Sequence, residues 1–305
     1  MIAAENFLFD SFVAETFMFN NPLRQFGDFE SQYTDPDTAA VAILPVPYDG
    51  TSTWIKGADK GPQAILETSY NLEFYDIETD SEVFRKGIAV EPAVEGFDSP
   101  ERMTEAVRGR VAGMFERGKF PVVLGGEHSV SIGAITAAAK HFDNLTVLQL
   151  DAHTDLRDSY EGSTHNHACV MARAKELAPI VQVGIRSMDS CEKSNLDPNR
   201  VFFAHMICGR KADAWIAEVV ELLTENVYLT IDLDVFDPSI MPATGTPEPG
   251  GLGWYEVAEL IRAVCSRRNL VGFDIVELCP RENLWASDFL AAKLLYKTLT
   301  YKYCL

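Results

Sequence analysis

Short apolar runs alternate along this chain with longer segments whose apolar residues recur at helical spacing. The runs at 41–46, 121–124, 146–150, 180–185, 227–233 and 270–276 read as buried strands, and 200–204 as a short further one. The intervening segments read as helices: one opened by Gly61-Pro62, then 101–117 stopped by Gly118, 132–142, 167–175, 213–223, 255–267 and 287–301. A repeated strand-then-helix order predicts a mostly parallel sheet with helices on both faces, an α/β architecture of three αβα layers. In open parallel sheets, sites form beyond the carboxyl ends of the strands. Residues 1–40 carry no such periodicity, and Asn20-Asn21-Pro22 and Asp35-Pro36-Asp37 read as turns. This segment is expected to be an N-terminal arm, leaving 41–305 as one catalytic domain.

Chemistry collects where the predicted strands end. The run 146–150 passes into Asp151-Ala152-His153-Thr154-Asp155; alternate strand residues share a face, so Asp151 and His153 point together and Asp155 follows as the chain turns. The run 121–124 leads to Gly125-Gly126-Glu127-His128-Ser129, and the run from Tyr228 ends in Asp232-Leu233-Asp234. Each cluster has a plainer reading when taken alone. An Asp-x-Asp is commonly a cap or turn, and His128 can be an ordinary buried histidine. Two carboxylates and an imidazole crowded at a buried strand end are costly without a cation, which makes the three clusters together a candidate metal site. His128, Asp151, His153, Asp155, Asp232 and Asp234 are the candidate ligands. Two imidazoles and four carboxylates without thiolate suit a pair of hard divalent ions, with Mn2+ the best fit.

GGEHS at 125–129, DAHTD at 151–155 and DLDVFDP at 232–238 resemble the motifs of the ureohydrolase family, the arginases, agmatinases and related guanidino-acid hydrolases. The resemblance extends to PYDGTSTWIKGADKGPQAIL at 47–66, TGTPEPGG at 244–251 and DIVELCP at 274–280, and so covers nearly everything beyond residue 40. It implies an eight-stranded parallel sheet and a homotrimer or homohexamer. It also implies two Mn2+ ions per chain: one held by His128, Asp151, Asp155 and Asp232, the other by His153, Asp151, Asp232 and Asp234. In that family a bridging hydroxide attacks the guanidinium carbon and the tetrahedral species expels an amine, leaving urea.

By the same resemblance Asp155 passes a proton to the leaving amine, His167 rather than His165 handles protons at the mouth, and Glu277 pairs with the substrate guanidinium. Read without the resemblance, Glu277 is equally well a structural salt-bridge partner. Thr246 is a further substrate-binding candidate. Cys279 stands where the family commonly has Asn. The segment Leu156-Arg157-Asp158-Ser159-Tyr160-Glu161-Gly162 resembles one bacterial branch of the agmatinases rather than the arginases, so agmatine is the expected substrate. Asp158 and Glu161 are expected to receive its ammonium, and Arg157 keeps guanidinobutyrate open as an alternative, with arginine the poorer fit.

Composition narrows the field further. At 305 residues and 47% hydrophobic the chain can bury a large single core. A formal net charge of -19 disfavours nucleic acid and anionic membrane as partners, and is compatible with a small cationic guanidino substrate, although acidity for solubility explains it equally. Scattered cysteines without a Cys-x-x-Cys pair, and an N-terminal stretch broken by acidic residues, lead us to expect a reduced, cytoplasmic protein without a secretory signal. A metallophosphoesterase would need a Gly-Asn-His box, and a zinc deacetylase adjacent paired histidines, which His165-Asn166-His167 is not. A non-catalytic binding descendant is disfavoured because every metal ligand is intact.

Overall fold

The computed structural model describes residues 25–305. The turn expected at Asn20–Pro22 and the first part of the arm lie outside them. Eight strands form one all-parallel sheet in the order β2-β1-β3-β8-β7-β4-β5-β6. They are β1 (Val41–Val46), β2 (Ile88–Val90), β3 (Phe120–Gly125), β4 (Leu145–Leu150), β5 (Ile180–Ile185), β6 (Val201–Phe203), β7 (Asn226–Asp232) and β8 (Asn269–Val276). Every residue of β1, β3, β4 and β5 is buried, as expected for strands covered on both faces.

The strand period divides the core in two. Val41, Ile43, Val122, Leu124 and Phe273 belong to one apolar cluster; Ala42, Leu44, Val123, Val147 and Tyr228 belong to the other. Helices α1 (Gly61–Ser69), α6 (Ala212–Leu222), α7 (Trp254–Arg267) and α8 (Trp285–Cys304) pack together as one layer. The opposite layer consists of α2 (Pro100–Glu116), α3 (Val130–His141) and the short α4 (Val170–Ala174). Another short helix, α5 (Ala204–Ile207), follows β6. Helix α2 starts where Ser99 Oγ accepts the Arg102 amide at 3.3 Å, with Pro100 in the first turn, where its missing N–H costs nothing.

Two features depart from the pattern reading. Strand β2 is only three residues long and is too short to show a period. Residues 167–175 form a 3-10 turn (His167–Cys169) running into α4 rather than one helix. The described part of the arm is packed against the domain: Phe26 is fully buried, with its ring 6.4 Å from those of Phe74 and Tyr296. Among the described residues no helix is long and apolar enough to cross a membrane.

Candidate metal centre

The four adjacent central strands, β3, β8, β7 and β4, end at one level. Leu124 is level with Ile275, Val276 with Asp232, and Ile231 with Leu150. The residues that follow, His128 after β3, Glu277 after β8, Asp234 after β7 and Asp151 after β4, are therefore brought to one place by register alone. Gly126 permits the tight passage after β3: a Cβ there would lie 2.0 Å from the Tyr48 carbonyl oxygen, which instead accepts the Glu127 amide at 2.8 Å.

Two sets of ligand atoms converge: His128, Asp151 and Asp232 in one, Asp151, His153 and Asp234 in the other. His128 Nδ1 is 3.2 Å from Asp151 Oδ2, 2.9 Å from Asp155 Oδ2 and 3.5 Å from Asp232 Oδ2. His153 Nδ1 is 2.9 Å from Asp234 Oδ2 and 3.6 Å from Asp151 Oδ1. Asp151 thus joins both sets. Asp232 falls in the first set, and its Oδ1 accepts the Asp234 amide at 2.9 Å. Among the described residues none of these carboxylates is aligned to hydrogen-bond the buried His128 Nδ1, which suits a nitrogen directed at a cation. Its other nitrogen, Nε2, donates to Thr230 Oγ1 at 2.9 Å, and Thr230 donates to Asp274 Oδ1 at 2.6 Å. Gln149 Nε2 donates to Asp151 Oδ2 at 2.7 Å. These outer contacts orient the ligands.

The electrostatics call for cations. Burial and then the charge of Asp151 push the Asp155 carboxyl up to about 7. Burial, Asp234 and Asp151 hold Asp232 well above the carboxylate range. Burial opposes charge on His128, but Asp151, Asp155 and Asp232 outweigh it and raise that imidazole well above its ordinary value. Four carboxylates facing two imidazoles are electrically short of positive charge, and two divalent ions would balance them. The donor set fits such a pair. Asp155 and Glu277 also hold positive φ angles of 49° and 66°, a strained backbone of the kind that collects at functional sites.

The centre forms the floor of a cavity of about 330 Å³, whose wall includes Asp155, Arg157, His167, Thr246 and Glu277 among the residues singled out from sequence. Asp158 and Glu161 are exposed and do not line it; Asp158 Oδ1 accepts instead from Asn195 Nδ2 at 3.1 Å. The acidic wall is supplied by Asp189 and Glu192, which sequence reasoning passed over. They follow β5, whose carboxyl end lies on the same side, and that position after a predicted strand was the one signal the sequence offered. Glu277 Oε1 accepts the His128 amide at 2.8 Å, and burial followed by Glu127 raises its carboxyl well above the usual range. Burial, then the charges of His128 and His153, push His167 down to about 4, so its ring is neutral near pH 7. Cys279 Sγ donates to the Lys56 carbonyl at 3.4 Å, tying the loop after β1 to the end of β8.

An αβα domain whose strand ends gather two imidazole–carboxylate sets around one shared aspartate has the build of a two-metal hydrolase. Comparison with known proteins narrows this. The arginase-family model matches residues 39–300. The N(1)-aminopropylagmatine ureohydrolase of Synechocystis is 39% identical over 297 residues, covering 93% of this chain and 95% of that protein. The agmatinase of Pyrococcus horikoshii is 36% identical over 274 residues, covering 88% and 94%. The agmatine ureohydrolase structure of Thermoplasma volcanium superposes with a TM-score of 0.79 at 33% identity, covering 87% and 90%. The chain belongs to the arginase family, and is a ureohydrolase acting on the C–N bonds of guanidino compounds.

Proposed function

We propose that this chain hydrolyses agmatine, or a derivative of it lengthened at the amine end, to urea and the corresponding amine, using two Mn2+ ions. The observation that carries the reading is Asp151 standing in both ligand sets at the floor of a cavity that Glu277 also lines. His128, Asp151, Asp155 and Asp232 would hold one ion, and His153, Asp151, Asp232 and Asp234 the other; an oxygen-rich set without thiolate favours Mn2+ over zinc. When bound, the pair supplies an ionised water near neutral pH.

The remaining work falls to the chain's own residues. Glu277 spends Oε1 on the His128 amide and keeps Oε2 for the guanidinium, fixing the orientation of the carbon to be attacked. Asp155, on the cavity wall beside His128, takes the proton of the attacking water and delivers it to the departing amine nitrogen as its C–N bond breaks. His167, neutral near pH 7, exchanges protons between that amine and solvent at the mouth.

A longer substrate is favoured by two observations. Among the relatives at 36% to 39% identity, four are named for N(1)-aminopropylagmatine and one for agmatine. The wall beyond the centre carries Asp189, suited to a second ammonium. We further propose a cytoplasmic homotrimer or homohexamer, supported by six free cysteines and by exposed Trp54 and Trp285. Urea release from agmatine, N(1)-aminopropylagmatine, arginine and guanidinobutyrate after Mn2+ loading tests the reading. We expect one of the first two to lead; arginine in the lead would overturn it.

A further inference from the structure

Glu127 of the GGEHS stretch is fully buried beside His128, yet it belongs to neither ligand set. Its Oε1 accepts Ser129 Oγ at 2.6 Å, and its Oε2 accepts the Ser129 amide at 3.0 Å and Thr51 Oγ1 at 2.9 Å. Thr51 Oγ1 is in turn 3.0 Å from the His167 amide nitrogen and 3.1 Å from His167 Nδ1. The chain Glu127, Thr51, His167 joins three segments that are far apart in sequence and runs from beneath the centre to the cavity wall.

A hydroxyl has one proton and two lone pairs, so its three contacts can be accounted for completely. The His167 amide can only donate and takes one lone pair. Glu127 Oε2 also takes the Ser129 amide, which can only donate, so it is the accepting oxygen of that carboxyl whether or not Oε1 carries a proton, and the hydroxyl proton goes to it. The one lone pair left must accept from His167 Nδ1, which therefore carries the ring proton. We infer that Thr51, anchored by Glu127, is a positioning residue that holds neutral His167 as its Nδ1–H tautomer and leaves Nε2 as the acceptor available to the cavity. Orienting a catalytic imidazole through its second nitrogen in this way decides which ring atom can exchange a proton with the substrate.

The inference rests on His167 handling protons only for its kinetic consequence; the tautomer itself is a separate, directly visible quantity. Neutron diffraction from the metal-loaded protein at neutral pH should show deuterium on His167 Nδ1 and on Thr51 Oγ1 directed at Glu127. Glu127→Gln should preserve both, because its amide oxygen must occupy the Oε2 position to accept from the Ser129 amide, and its NH2 then faces Ser129 Oγ. Thr51→Val should lower kcat on the order of 100-fold with KM and metal content held, and Thr51→Ser should restore most of it. Deuterium on Nε2 in the unaltered protein, or a Thr51→Val loss confined to KM, would overturn the assignment. The tautomer as stated together with full turnover in His167→Asn would support the positioning and instead remove His167 from the chemistry.

Discussion

Nε2 of His128 lies 2.9 Å from Oγ1 of Thr230, a residue of β7 two places before Asp232. The same strand thus supplies a candidate ligand and the contact that decides which nitrogen of a neighbouring ligand faces the centre. Thr230 Oγ1 donates its own hydrogen bond to Asp274 Oδ1 at 2.6 Å, so the orienting chain is complete and buried. Thr230→Val keeps the shape and removes the acceptor for Nε2–H. We expect Mn2+ affinity to fall about 10- to 100-fold with the fold retained, measured by calorimetric titration of the metal-free protein. Unchanged affinity would show that packing alone orients His128.

Because Asp151 belongs to both ligand sets and Asp234 to one, the two should differ in stoichiometry and not only in activity. Asp151→Ala should lose both ions. Asp234→Ala should retain close to one per chain, as read by elemental analysis after gel filtration. Two ions in Asp151→Ala would contradict a shared bridge.

Most of the sheet and the clustering of candidate ligands at its strand ends could be read from sequence because both depend on local signals: continuous apolar runs for buried strands, and carboxylates and imidazoles at their ends. Strand β2 could not, since three residues between a 3-10 turn and a loop show no period. Thr230 was hidden for a related reason, as a threonine in a β-branched strand reads as ordinary strand composition. Asp189 and Glu192 escaped because their loop holds no motif, and the neighbouring Asp158 and Glu161 drew attention by sequence proximity to the ligands. Proximity misleads there: Asp158 is turned to Asn195, whereas Asp189 reaches the cavity from a different strand end. The link between Thr51 and His167 spans 116 positions, and only the folded chain reveals it.

Asp288, in the first turn of α8, is nearly buried and its Oδ1 has no partner among the described residues; burial and then Glu67 push its carboxyl up to about 6. A carboxyl whose folded value is raised favours folding fully only below its unfolded value near 4, and that contribution is lost as pH rises toward 6. At pH 7 the ionised group costs on the order of 1–3 kcal/mol, partly offset by the helix N-terminus. Asp288→Asn should therefore raise Tm by about 2 °C at pH 7 and leave it unchanged near pH 4, followed by calorimetry. A gap that is the same at both pH values would assign the effect to packing.

Substrate choice turns on what Arg157 is free to do. Its guanidinium lies 4.2 Å from the Tyr160 ring centre and 3.4 Å from Asp189, so the one Arg or Lys that lines the cavity among the described residues is already engaged. Both partners are part-exposed, which makes the ion pair modest by itself, but the ring contact adds to it. Arginine or guanidinobutyrate would bring a carboxylate toward Asp189 with no free partner, at a cost on the order of 2–4 kcal/mol, so agmatine should exceed arginine in kcat/KM by at least about 100-fold. Asp189→Asn releases Arg157 and removes the competing charge. The ratio of guanidinobutyrate to agmatine turnover should then rise by about tenfold at equal Mn2+ loading, chiefly through KM. If the ratio stays fixed in that variant while Arg157→Ala lowers agmatine turnover, Arg157 acts by shaping the mouth and the charge argument fails.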